Sequence, residues 1–215
     1  MNRIQSIAAA SLAALGVLGG PAWAVRPLSV DNATTAAKGT GYVDAWVARQ
    51  PGKDDALNLT PAYSPWEVVE LSVPLSRNRT DSINSVGVLA RVRLTEPQRS
   101  GCNLLVALGH RDFRPGGNQR LAYAAASCNR NDFALHANLG AAKPSSASSV
   151  STWGVALEHD TDTFVAHVES FGQERSKPTF QLGARREMAK GWQVDGTLGR
   201  FNGETLFSLG VKVSF

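Results

Sequence analysis

Apolar and polar side chains alternate with a period of two along most of this chain. The clearest case is the C-terminal stretch, where Phe207, Leu209, Val211, Val213 and Phe215 are apolar and Ser208, Gly210, Lys212 and Ser214 between them are small or polar. Successive side chains of a strand point to opposite faces, so the stretch predicts a strand with one apolar and one polar face. The same rhythm, broken by turn residues, predicts strands near 40–49, 56–63, 66–76, 84–95, 102–112, 119–128, 132–141, 150–159, 162–172, 178–188, 191–200 and 204–215. That count is even, so the chain ends on the side where its first strand begins.

Each strand then has a readable greasy face. The third carries Val69, Leu71, Val73 and Leu75, and the fourth Val86, Val88, Ala90, Val92 and Leu94. Later strands continue with Phe133, Leu135 and Leu139, with Trp153, Val155 and Leu157, with Phe180 and Leu182, and with Trp192, Val194 and Leu198. Trp66, Trp153, Trp192, Phe207 and Phe215 fall near strand ends, where the aromatic girdles of membrane barrels lie. The competing reading, a soluble β-sandwich core, gives no reason for a chain that stops on a bare Phe.

The opposite faces are polar and carry both signs of charge. Glu70, Arg91, Arg93, His136, Glu158, His167, Glu169, Arg185 and Asp195 are expected there, with Asp44, Lys212, Asn138, Gln181 and Gln193. A hairpin centred between Thr80 and Asp81 sets Glu70 opposite Arg91, and the tight turn at Ala189-Lys190 brings Arg185 close to Asp195. Such pairs are what an enclosed lumen needs to avoid isolated charges. Connections on the side away from the termini are expected to be the longer ones.

The first 24 residues look like a leader. Arg3 is followed by an apolar run, Gly19-Gly20-Pro21 breaks it, and Ala22-Trp23-Ala24 fits the small-x-small rule for a secretory signal peptide. As a membrane anchor the run falls short of the roughly 20 residues that a helical span needs. No later apolar run approaches that length, so an exported chain of this kind crosses lipid only as a closed barrel. The formal net charge of the whole chain is +4 and is spread along it, which gives no argument for nucleic acid.

Cys102 and Cys128 are the two cysteines of the chain. In an exported protein they point to a disulfide more than to a metal. Their midpoint falls in the turn Arg114-Pro115-Gly116-Gly117, so they face one another if the hairpin is centred there. A shift of one residue would leave them as two small apolar side chains.

The terminal Phe with apolar residues at alternate positions upstream resembles the C-terminal insertion signal of bacterial outer-membrane β-barrels, which implies the barrel-assembly machinery and outer-membrane lipid as partners. Ahead of the first strand, Arg26-Pro27-Leu28, then Asp31-Asn32-Ala33, then Gly39 resembles the opening of an outer-membrane barrel family linked to phenol-degradation pathways. Asn32 stands where a second Asp is usual in that family. The resemblance implies a transporter-like barrel with no catalytic residues to carry over.

Candidate chemistry adds little to this. His136 and His167 share the polar faces with Glu158 and Glu169, and a His with a carboxylate can act as a general base, but no serine stands at a spacing known from barrel-wall lipid hydrolases. His110, His136, His159 and His167 lack paired ligand spacing, so no metal and no cofactor is expected. The expected protein is all-β, an antiparallel up-and-down transmembrane β-barrel of about twelve strands over 40–215, preceded by a signal peptide (1–24) and a periplasmic segment (25–39). Its expected role is a passive channel or transporter for small solutes in the bacterial outer membrane, not an enzyme. The alternatives are a non-conducting structural or ligand-binding barrel and a lipid-modifying enzyme.

Overall fold

The structure is a computed structural model and describes residues 29–50, 54–79, 82–98 and 100–215. The expected signal peptide, its expected cleavage point at Ala24 and the Arg26-Pro27-Leu28 step lie outside the described residues.

Thirteen strands form a single antiparallel sheet that closes on itself. They are β1 (Gly41–Gln50), β2 (Asp54–Trp66), β3 (Val69–Ser72), β4 (Leu75–Asn78), β5 (Asn84–Arg93), β6 (Gly101–Arg114) and β7 (Asn118–Arg130). The remainder are β8 (Phe133–Pro144), β9 (Val150–Asp160), β10 (Val165–Gln173), β11 (Thr179–Ala189), β12 (Trp192–Phe201) and β13 (Glu204–Ser214). The wall is twelve strands round, because β3 and β4 follow one another between β2 and β5. The strand expected at 66–76 is broken at Pro74, which has no N–H to give to a ladder. Beyond the break the chain pairs again as far as Asn78.

Closure comes from β1 and β13. They pair from Tyr42 with Ser214 to Arg49 with Phe207. At the end of the seam the N–H of Gly41 donates to the carbonyl of Phe215 and the N–H of Phe215 to that of Gly41, both at 2.9 Å. A closed sheet has no unpaired edge.

Tight turns keep the hairpins in register. At Asn202-Gly203 both φ angles are positive, 52° and 86°, which is the geometry of the mirror-image turn that matches strand twist. Connections away from the C-terminus are on average slightly longer than the others, as expected. The longest connection of all, 94–100, is at the C-terminal end.

The outer wall is apolar and exposed. Leu108, Leu139 and Phe215 have relative exposures of 67%, 69% and 69%, and Val88, Leu182 and Leu209 are also largely bare. Inside, Leu89, Leu105, Ala107, Leu121, Ala125 and Ala142 form one apolar patch and Ala156 with Phe171 a second. Ala33 completes the first and Val30 the second, so a piece of chain ahead of β1 belongs to the interior.

Candidate functional site

Residues 29–40 form no strand. They run from the start of β1 into the barrel as an extended strap, hydrogen-bonded to side chains that the wall points inward. An irregular segment inside a barrel must have its backbone groups satisfied by the wall, since little water reaches them. Glu169 Oε2 accepts the N–H groups of Ser29 and Val30 at 2.7 and 2.8 Å. Asn138 holds Asp31 from both sides: its Oδ1 accepts the Asp31 N–H at 2.6 Å and its Nδ2 donates to the Asp31 carbonyl at 2.8 Å. Ser127 Oγ accepts the N–H of Ala33, and Glu70 Oε2 that of Ala36, each at 2.8 Å.

The hub of the arrangement is Arg91 on β5. Its Nε and Nη2 bond the two carboxylate oxygens of Asp31 at 3.0 and 2.7 Å, its Nη1 bonds Glu70 Oε1 at 2.6 Å, and Nη2 also donates to the Asn32 carbonyl at 2.8 Å. Tyr42 donates to Glu70 Oε1 at 2.8 Å, and Tyr123 donates to Asp31 Oδ2. Arg91, Glu70 and Asp31 are each no more than 2% exposed. One cation thus ties a carboxylate of the strap to a carboxylate of the wall, with a planar fork matched to Asp31.

A second chain of contacts runs round the wall. His136 Nδ1 lies 2.7 Å from Ser127 Oγ and its Nε2 lies 3.4 Å from Glu158 Oε2; Glu158 is bridged to Arg185, with Nη2 to Oε2 at 3.0 Å. Ser, His and Glu in this order have the outline of a nucleophile relay. Here the Ser127 hydroxyl already serves the strap backbone, accepting from Ala33. On the far wall Gln181 donates to Glu169 Oε1 at 2.5 Å and to Ser29 Oγ at 2.8 Å, while His167 Nε2 lies 4.0 Å from Glu169 Oε1.

Glu70, Arg91, Arg93, His136, Glu158, His167, Glu169, Arg185 and Asp195 all sit on the inward-pointing positions of their strands. Glu70 stands opposite Arg91 in register and the two are bonded. Arg185 stands opposite Asp195, yet its guanidinium reaches past β10 to Glu158 on β9. Asp195 is buried against Gly210, where an added Cβ would meet its Oδ2 at 2.7 Å. Arg93, near the C-terminal end of the lumen, contacts Glu96 at 3.5 Å. Among the described residues no group of three or more His, Cys, Asp or Glu could hold a metal ion.

Cys102 and Cys128 face one another across β6 and β7 and form a disulfide on the outer wall. Phe207, Leu209, Val211 and Val213 of β13, and Phe215 just beyond it, all turn to the outer face.

Sequence reasoning missed the strap, the two tyrosines and Ser127. One signal was present: Tyr42 and Tyr123 fall on the polar faces of their strands, where a large aromatic with a hydroxyl has to find something to pack on. A further trace of the strap is Gly154, an inward position at which an added Cβ would meet Val30 Cγ2 at 2.8 Å.

Solved structures share the fold. The KdgM porin in complex with disordered oligogalacturonate is similar at 13% identity and a TM-score of 0.72, over 81% of this chain and 99% of that one. The NanC porin follows at 11% and 0.65, over 80% and 98%. An outer-membrane channel from Pseudomonas putida F1 aligns at 14% and 0.55, over 85% and 97%. The sequence matches no curated protein. The chain belongs to the family described as "Uncharacterised conserved protein UCP029691", whose model matches residues 13–214.

Proposed function

We propose that this protein is a bacterial outer-membrane channel for small solutes whose resting state is closed by its own N-terminal strap. The observation that carries the reading is the strap itself: a peptide bonded to both sides of the lumen, within an apolar-walled barrel. Export after cleavage at Ala24 is part of the proposal. It is supported by the Cys102–Cys128 bond, since disulfides persist in oxidising compartments.

Conduction requires the strap to leave or shift. Solutes then diffuse past polar wall groups, with Glu70, Arg91, Arg93, His167 and Glu169 setting the preference among them. A lumen of mixed sign makes that preference weak for simple ions. KdgM was captured with an oligogalacturonate, and a sugar acid is one solute class to try here. The phenol-degradation link drawn from Arg26-Pro27-Leu28 makes phenol another, and liposome swelling in each solute discriminates between them.

Planar-bilayer recording tests the central claim. Wild-type protein should give small or rare current steps, and deletion of residues 29–36 should give larger and more frequent ones. A deletion variant that folds, shifts on a gel after boiling and still passes no current would sink the channel and leave a ligand-binding barrel in its place.

A further inference from the structure

The outer wall ends in very different chemistry at its two rims. At the end that carries Phe215, the exposed charges are mixed, with Glu67, Glu96, Asp132, Asp160, Asp162 and Glu187 among them. At the opposite end, the outward positions of β4 to β8 carry Arg77, Arg114, Arg120 and Lys143, with Arg79 just beyond β4, all exposed. His110 and Asp112 lie among them and contact each other at 3.3 Å. None of the five cations has an ion pair among the described residues.

Their placement in the sheet is unfavourable for the protein alone. Arg120 pairs directly with Lys143 on one side and with His110 on the other. Like charges opposite one another across strands destabilise a sheet. One step further down, the wall turns apolar, through Leu108, Ala122 and Ala141, so this row stands at the edge of the hydrocarbon band. Arg77 and Arg114 share a second register line, through Asn84, four residues closer to the rim, and the two lines together span four strand spacings from β4 to β8, about 19 Å. That is wider than one phosphodiester.

We propose that this belt is a binding site for a membrane lipid that carries more than one phosphate on a wide headgroup. Arginine matches phosphate with paired N–H donors, and lysine adds a point charge. Phosphates between Arg120, Lys143 and Arg114 would turn a repulsive row into an attractive one. Acyl chains of the same lipid would lie on Val88, Leu108 and Leu139 below. The proposal rests on the membrane-spanning reading above, and the test separates the two.

Purified wild-type protein is reconstituted in vesicles and, separately, mixed in detergent with a diphosphorylated disaccharide lipid, its monophosphorylated form or phosphatidylglycerol. Retained lipid is counted by native mass spectrometry. The diphosphorylated lipid should be retained at least tenfold better than phosphatidylglycerol, with the monophosphorylated form between them. Arg114→Ala, Arg120→Ala and Lys143→Ala together should remove that advantage, while the control Arg130→Ala, Arg186→Ala and Lys190→Ala at the other rim keeps it. Arg120→Gln alone covers a failure of the triple variant to fold: it should raise the unfolding temperature without lipid and shrink the rise that the diphosphorylated lipid causes. Equal retention of all three lipids, or no loss in the belt variants, overturns the site while leaving the barrel in the membrane. A wild-type protein that does not insert into vesicles overturns both readings.

Discussion

Replacing Arg91 with Ala would leave the carboxylates of Asp31 and Glu70 buried without their cation. Removing one partner of a buried ion pair costs about 3–5 kcal/mol, more than the pair itself contributes. The expected result is a lower unfolding temperature together with larger conductance, because the same side chain supports the wall and holds the strap. Gly154→Leu separates the two effects. It leaves Arg91, Asp31 and Glu70 untouched and fills the space against Val30 Cγ2, so bilayer recordings should show more current with little change in the gel shift. If neither variant alters current, the strap does not control passage. The Arg91–Glu70 contact was legible beforehand because it depends on parity and hairpin register alone. Asp31 was not, since its partners lie 60 and 92 residues away along the chain and no local spacing encodes that separation.

At the scale of elements, alternation identified the wall and failed for the strap. Each strand repeats its in–out pattern over ten or so residues, which is enough to fix the face of every side chain. The strap has no period, because its backbone is served by Glu169, Asn138, Ser127 and Glu70 from four different strands. Alternation alone predicts a third strand continuous through Pro74, and the lost N–H there is the reason it is two. Faces also predict where charge is not tolerated. Leu182 on β11 is 60% exposed on the outer wall, and Leu182→Lys should cost roughly 2–4 kcal/mol if it faces the bilayer midplane. Its inward neighbour altered as Gln181→Lys should assemble more readily. Measuring folded yield in vesicles for the two variants checks the assignment, and equal yields would count against a lipid-facing exterior.

For the whole molecule the disulfide and the strap act on opposite sides of one wall. Cys102 and Cys128 are 26 residues apart, and a cross-link of that span restricts the unfolded chain by about 3.5 kcal/mol in the chain-entropy picture. Cys102→Ser with Cys128→Ser should therefore lower the unfolding midpoint without altering single-channel current, because the bridge is outside and the strap inside. A change in current would mean that the hairpin of β6 and β7 bends when the bridge is lost. The mutual bonds of Gly41 and Phe215 carry a consequence for synthesis. The first strand pairs early with β2 but meets its second partner, β13, only when residues 204–214 have been made, so a chain cut short before β13 yields a sheet with two raw margins rather than a narrower pore. Premature stop codons anywhere upstream should accordingly produce material that sticks to other chains and is degraded, with no partially working product.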